Sequence, residues 1–515
     1  MRTLLVHARF PKTYWGFQYG LPLAGRRAAL PPLGLISLAA LLPSDWELRL
    51  IDLNIEELTD DELRRADVVL VGGMHVQSDS MREVLLRAGG FATPTVVGGP
   101  APTTSPGDFE MADVLFQGEA EGREADLLAA IEAAVASGPG GGQVVLPAPR
   151  QRPDLCRVPV PRFDLLDLSA YGAMAIQCSR GCPHSCEFCD IVEIFGRVPR
   201  FKSPDQVLAE LDALRALGWV AGVFVVDDNF IGNRRLAREL LSELTRWQVE
   251  HGHPFGLSTE ASVELARDEG LMHAMVSAGF TAVFLGIETP STEALAGAGK
   301  SQNLRLDLAE AVQTLTRRGL EVMGGFIVGF DSDRPEVFEA QLRFIELAPI
   351  PLAMVGVLTA LPGTAMWRRL EGEGRLRDQR VSDQFGRPNF APMMDEGELL
   401  RGYGALLREL YTADAWYDRC EAYVELAPPL PGRRTVSWHD IKTLARTAWR
   451  VGVLSPHRGR FWRLLGRSLR RAPHTFAWVV TRVIVGEHMI RYTERDVLPR
   501  LERSISQLKR ADRAA

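Results

Sequence analysis

Cys182, Cys186 and Cys189 lie in the run Cys178-Ser-Arg-Gly-Cys182-Pro-His-Ser-Cys186-Glu-Phe-Cys189-Asp190. Thiolates are the usual ligands of iron–sulfur clusters. Three of them fill three irons of a four-iron cube and leave the fourth iron free to bind a small molecule. Only six cysteines occur in 515 residues, and four crowd between Cys178 and Cys189, with Cys156 and Cys420 apart. That crowding reads as a metal site, not a disulfide framework. The alternative is a structural zinc site, in a non-catalytic binding protein, with Cys178 or His184 as fourth ligand. Cys178 by itself reads as a strand-end residue.

The elements that must carry this loop alternate between strand and helix. A first series has strands at Thr3–Ala8, Glu47–Asp52, Val68–Gly72, Thr95–Gly98 and Val114–Gln117, with helices at Leu33–Leu42, Ser80–Ala88 and Ala125–Ala136. Short apolar runs separated by helices indicate a parallel sheet covered on both faces. Ser137 to Pro161, opening on Gly138-Pro139-Gly140-Gly141-Gly142, reads as a linker. A second series has strands at Ala173–Cys178, Gly222–Asp227, Gly256–Glu260, Ala282–Glu288, Val322–Gly329 and Ala353–Ala360. Helices fit Pro204–Leu217, Arg235–His251, Glu264–Ala278, Leu304–Arg318 and Pro335–Leu347. Six such repeats suggest part of a barrel, with the cysteine loop at the C-terminal mouth where barrels place their chemistry. Beyond about Leu376 the pattern turns helical, with Leu399–Cys420, Phe461–Arg471 and Phe476–Ile490 as helices punctuated by Pro456 and Pro473. The expected organisation is an α/β chain with units at 1–140, 169–375 and 376–515 and a linker at 141–168.

The cysteine spacing, with Phe188 before the last thiol, resembles the radical S-adenosylmethionine (SAM) superfamily. The resemblance implies a [4Fe-4S] cluster on Cys182, Cys186 and Cys189, whose open iron chelates SAM and cleaves it to a 5′-deoxyadenosyl radical. It implies a (β/α)6 partial TIM barrel and SAM contacts from Phe188, from Asp227-Asp228-Asn229, from Glu288 in Gly286-Ile287-Glu288-Thr289, and from Gly325 and Gly329. Leu361-Pro362-Gly363-Thr364 resembles the turn closing the sixth strand. The second strand ends in Asp-Asp-Asn where the family more often has Gly-Gly-Glu.

A parallel sheet before such a barrel resembles the Rossmann-like cobalamin-binding domain of one large subfamily. The resemblance assigns Asp52, Asn54, Gly73, Ser78, Gly98 and Gly99 to the corrin. Asn54 occupies the middle of the pattern where cobalt-ligating relatives have histidine, and an imidazole would coordinate cobalt strongly. His75 is a conceivable substitute, with a plain structural histidine as the blander reading. No Gly-x-Gly-x-x-Gly fingerprint appears, which weakens a nucleotide-binding alternative. Tyr14-Trp15-Gly16-Phe17, Pro31-Pro32-Leu33-Gly34-Leu35, Cys189-Asp190-Ile191 and Gly196-Arg197-Val198-Pro199-Arg200 resemble the branch with a helical C-terminal domain, to which hopanoid C-2 methylases belong. That resemblance implies cobalamin-dependent methylation of an unactivated carbon, of a small molecule or lipid, with a reductase, flavodoxin or ferredoxin supplying electrons. The rival within the same architecture is a cobalamin-dependent radical cyclase or rearrangement enzyme without methyl transfer.

Hydrophobic residues make up 46% and charged residues 24% of the chain, as in an ordinary globular protein. No signal peptide and no run of about 18 apolar residues is visible, so a cytoplasmic setting is expected. From Leu430 onward there are 19 Lys and Arg against 6 Asp and Glu, so with a net charge of −6 the rest carries about −19. Arg458, Arg460, Arg463, Arg467, Arg470 and Arg471 interleave with Phe461, Trp462, Leu464, Leu465 and Leu469. This stretch reads either as a packed helix with a solvated cationic face or as an amphipathic helix making peripheral contact with an anionic membrane. No nucleic-acid motif is present, and no nucleic-acid partner is expected.

Overall fold

The computed structural model describes residues 1–140, 142–377, 384–429 and 437–514. Gly141 of the expected linker lies outside them. The first sheet is wholly parallel, in the order β2-β1-β3-β4-β5-β6. Its strands are β1 (Arg2–His7), β2 (Glu47–Asp52), β3 (Val68–Gly72), β4 (Thr95–Gly98), β5 (Val114–Phe116) and β6 (Val144–Leu146). The central strands β1, β3, β4 and β5 are buried on both faces under flanking helices, which is why they read as unbroken Val/Leu/Ile runs. β6 corrects the linker expectation. Val144-Val145-Leu146 pairs with β5 in register, extending the first sheet into the Gly/Pro-rich stretch. A three-residue strand carries too little periodicity to stand out from its flanks.

The second sheet has six parallel strands in sequential order, the open barrel expected. They are β7 (Met174–Ile176), β10 (Val223–Val225), β11 (Leu257–Ala261), β12 (Phe280–Glu288), β13 (Glu321–Val328) and β14 (Ala353–Val357). Between β7 and β10, β8 (Ser179–Arg180) and β9 (Arg200–Phe201) form a short antiparallel pair that closes the cysteine loop at its base. The helix Pro204–Ala216 starts at a capping box, Ser203 with Gln206, and has Pro204 in its first turn. The expected helix Glu264–Ala278 breaks at Asp268, whose carboxylate caps a new helix through the amide of Leu271 (3.0 Å). A short helix Thr292–Gly297, not expected from the sequence, follows β12.

The C-terminal part is helical. The expected single helix Leu399–Cys420 is two, Glu396–Leu410 and Ala413–Leu426, because Thr412 caps the second by accepting from the amide of Ala415 at 3.1 Å. Further helices run Trp438–Thr447, Arg458–Arg471, Phe476–Tyr492 and Leu498–Ala514, with π-helical turns at Ala448–Val453 and Thr493–Val497. Buried polar bonds tie them to the barrel. Tyr403 donates to the Val355 carbonyl (2.8 Å) and Tyr411 to that of Ala353. Glu321 of β13, buried, accepts from Trp478 at 2.7 Å and pairs with Arg482.

One connection spans the whole chain. The segment after β1 crosses to the C-terminal helices, where Tyr14 bonds Thr493 (2.6 Å), Tyr19 donates to Asp496 (2.7 Å) and Tyr492 donates to the Lys12 carbonyl (2.7 Å). His488 bridges both ends of this strap. Its Nε2 donates to the Thr13 carbonyl at 2.9 Å and its Nδ1 accepts from the Tyr19 amide at 3.3 Å. Burial pushes its pKa down to about 4, so the ring stays neutral and holds one tautomer.

Candidate active site

The cysteine loop is held at its root by the end of β10. Asp227 accepts from the Cys178 amide at 2.7 Å and the Ser179 hydroxyl at 2.6 Å, and Asp228 accepts from the Gly181 amide at 2.7 Å. Gly181 has φ +98, and a Cβ there would lie 2.8 Å from the Gly196 carbonyl, so only glycine fits this turn. Asn229 completes the set, its amide 3.9 Å from the Cys182 thiol. The sequence groups these three residues together, and the structure gives each a separate task. Asp227 departs most from its expected SAM contact: it is buried, and both its oxygens are occupied by the loop.

Around the thiols stand residues from the opposite wall. Gln302 donates to the Cys186 thiol at 3.6 Å, and Glu187 donates its amide to the Ala298 carbonyl at 3.0 Å. Lys300 pairs with Glu288 at 2.5 Å and sits 5.8 Å above the Phe188 ring. Burial alone would push the Lys300 ammonium down, but the Glu288 carboxylate and the Cys186 thiol hold it above its ordinary range. Glu288 has φ +65 at a register shift between β12 and β13, a strained conformation for a non-glycine residue. Two residues earlier, a Cβ on Gly286 would lie 2.3 Å from the Glu288 carboxylate and 2.6 Å from the Lys300 ammonium. The glycine therefore leaves room for the ion pair.

Phe188 packs edge-on against Phe330, with ring centroids 6.0 Å apart. Gly329, φ +101, turns the chain so that its amide and that of Phe330 both donate to Asp333, at 2.8 and 3.0 Å. A Cβ on Gly325 would lie 2.6 Å from the Phe284 ring. Trp15, carried in by the strap, meets that ring at 5.1 Å. The sequence gives no signal for this pairing beyond the aromatic run itself. Lys300 and Gln302 carry no signal in the sequence either, because both fall among ordinary polar residues at the start of a helical stretch.

Glu260, on β11, joins Asp227 and Asp228. Burial pushes these carboxyls up, to about 8, about 6 and about 7 respectively. Their proximity raises Glu260 further, and Lys300 partly offsets it. Because the folded value lies above 4.5, the stability associated with neutral Glu260 is complete below about pH 4.5 and is lost as pH rises toward 8. Glu260→Gln, neutral throughout, is expected to match the parent near pH 5 and exceed it by about 2 kcal/mol near pH 8.5, a discounted figure because the side chain keeps some water. Urea unfolding of the cluster-free protein at both pH values measures the gap, and a gap that does not grow with pH refutes the burial argument.

This donor set suits a four-iron cluster with a cationic cosubstrate. Amide N–H groups approach two of the thiols, burial disfavours free thiolates at Cys182 and Cys189, and the adjacent buried carboxyls await positive charge. A single four-coordinate ion fits less well, because the two candidate fourth ligands face elsewhere: Cys178 is buried in the core and His184 lies 3.6 Å from Glu264.

The C-terminal edge of the first sheet adjoins this mouth. Glu119 and Glu121, in the loop after β5, are buried and pair with Arg180 at 2.7 and 2.8 Å, and Glu119 also pairs with Arg200 at 3.0 Å. The two arginines belong to β8 and β9, so the first sheet grips the base of the cysteine loop. Asp52 accepts from Tyr171 (2.9 Å) and Asn54 (2.6 Å), while Asn54 accepts from the Phe10 amide (2.8 Å); both brace strand ends. Gly73 and Gly99 approach each other so closely that a Cβ on Gly99, φ +102, would lie 3.2 Å from the Gly73 carbonyl. Gly98 packs over Phe116, and Ser78 begins the helix Ser78–Gly90. His75 is bonded to Thr104 at 2.7 Å and burial lowers its pKa, as befits a structural histidine. Between these, Met74 and Val76 are exposed on the loop after β3.

The radical SAM superfamily profile matches residues 176–345, and a domain of unknown function matches 364–498. An uncharacterized methyltransferase of Synechocystis sp. is 41% identical over 501 residues, covering 96% of this chain and 92% of that protein. The hopanoid C-2 methylase of Rhodopseudomonas palustris is 35% identical over 502 residues, covering 95% and 93%. The cobalamin-dependent S-adenosylmethionine radical enzyme OxsB, solved with aqua-cobalamin and SAM, shares the fold at 15% identity and TM-score 0.58, covering 98% of this chain and 83% of that one. With the three-thiol loop at the mouth of a six-stranded barrel and relatives matching nearly end to end, the chain belongs to the radical SAM superfamily of [4Fe-4S]- and SAM-dependent enzymes, in the methyltransferase group that includes the hopanoid C-2 methylase.

Proposed function

We propose that the chain is a cobalamin-dependent radical SAM C-methyltransferase acting on an unactivated carbon of a lipid, such as a hopanoid, or of a secondary metabolite. The observation that carries this reading is the joining of the two sheets at their C-terminal ends. Glu119 and Glu121 lock the C-terminal edge of the first sheet, where a corrin would be held, onto the base of the loop whose Cys182, Cys186 and Cys189 would hold the cluster. When bound, the cluster and SAM supply a 5′-deoxyadenosyl radical and cobalamin supplies a methyl group. The chain's own residues bind, orient and exclude water. Asp228 and Asn229 fix the loop against β10; Glu288, with Lys300, and the backbone at Gly325 and Gly329 line the SAM side. Trp15 and Phe284 offer an apolar wall that would seat a hydrocarbon substrate and keep a radical from water.

The three units, 1–140 with β6 added to it, 169–375 and 376–515, are proposed to act together in the cytoplasm, with a flavodoxin, ferredoxin or reductase delivering the electron. Product counting after anaerobic reconstitution tests the reaction class. A methylase is expected to release S-adenosylhomocysteine and 5′-deoxyadenosine in about equal amounts per methylated product. Release of 5′-deoxyadenosine alone, with substrate rearranged, would instead establish the cyclase reading.

A further inference from the structure

The helix Trp438–Thr447 packs one face against Leu21–Ala24 of the strap region, where Arg446 lies beside Gly25. Its other face carries Trp438 and Ile441 one turn apart and continues into Trp449, which are 77%, 47% and 61% exposed. The π-helical turn adds Leu454, 60% exposed, just beyond it. Trp462, on the next helix, is half-exposed and reaches back to donate to the Gly452 carbonyl at 2.9 Å, which joins the two helices into one apolar ridge. Isolated exposed apolar residues are normal in globular proteins, but three tryptophans on one helix–turn–helix are not.

The charge around the ridge has two distinct parts. On the inner flank of the helix Arg458–Arg471, Arg460 pairs with Asp418 and Arg467 with Glu421. Arg450, Arg458, Arg463 and Arg471 are exposed and have no carboxylate partner among the described residues. The helix is thus divided: Phe461, Leu464, Leu465 and the matched arginines face the core, and the unmatched arginines, Trp462 and Leu469 face out. Among the described residues no helix is long and apolar enough to cross a membrane.

We propose that this ridge docks on the surface of an anionic phospholipid bilayer, with the tryptophans at the headgroup level and the unpaired arginines on lipid phosphates. Unpaired cations flanking amphipathic rings are what such a surface recognises, and an acidic protein partner would not call for three exposed tryptophans on one ridge. The surface adjoins the strap that carries Trp15 to the barrel, so docking would bring the active site close to the lipid phase. Docking does not depend on methyl transfer, and either can fail without the other.

Vesicle flotation of the full reconstituted chain tests it, using phosphatidylcholine alone and a 7:3 mixture with phosphatidylglycerol. Binding to the anionic vesicles is expected to exceed binding to the neutral ones at least about tenfold, and to weaken in high salt. Trp438→Ser combined with Trp449→Ser is expected to lose binding about tenfold or more, and Arg458→Gln with Arg463→Gln roughly fivefold per arginine. Both variants should retain the parent's melting temperature and SAM cleavage. Failure of the parent to bind anionic vesicles, or undiminished binding by the tryptophan variant, overturns the proposal. Concentration-dependent dimers lost in that variant, without vesicle binding, would make the ridge an interface between copies and equally overturn it.

Discussion

Cys186→Ala is expected to purify colourless, with iron falling from about four per chain to below one, and to make at least about a thousandfold less 5′-deoxyadenosine from SAM. A cube anchored at two corners loses the geometry that presents its open iron, so the loss should be nearly complete and not graded. Folding should be spared. Cys186 is half-buried on a loop, and its thiol meets the Gln302 amide at a long 3.6 Å. Cys178→Ala is the informative companion. That thiol is buried in the core, so its removal should destabilise the protein by about 1 kcal/mol while leaving iron and cleavage intact. Iron loss in the Cys178 variant would restore a four-thiolate site, and full 5′-deoxyadenosine production by the Cys186 variant would remove the cluster assignment.

What the sequence disclosed divides along a physical line. The thiol spacing and the strand ends were readable because the chemistry is local: a loop of eight residues at a strand's C-terminus fixes its own geometry. The parallel sheets were readable because burial on both faces leaves runs of Val, Leu and Ile. Contacts closed by tertiary structure were not. Nothing in the sequence pairs Trp15 with Phe284, or Tyr14 with Thr493 at the far end of the chain. The Asp227-Asp228-Asn229 run announces a polar strand end but not its division of labour, since which carboxylate turns inward depends on how the chain turns after β10, against the cysteine loop. The break at Thr412 is hidden for another reason. Helical periodicity runs on through a capping residue, and only the bond from Thr412 to the Ala415 amide reveals a new start.

The Glu288–Lys300 pair separates a structural role from a cosubstrate role. Lys300→Met strands the Glu288 carboxylate in a buried, strained position and is expected to cost about 3 kcal/mol in urea unfolding of the cluster-free protein. Glu288→Gln should cost less, because the amide can still accept a bond from the ammonium, although the buried cation then lacks its counter-charge. Combining the two removes both charges, and replacing a buried pair outright is commonly near neutral, so stability should return to within about 1 kcal/mol of the parent. Function should not return with it. If Glu288 contacts SAM, the double variant will still bind the cosubstrate at least about tenfold more weakly by equilibrium dialysis, since no carboxylate remains at the end of β12. Recovery of both stability and SAM affinity would leave the pair as a strut across the barrel mouth and assign the SAM contact elsewhere. Glu260 would be the next candidate, being a half-buried carboxyl close to Asp228 and within the influence of the Lys300 charge.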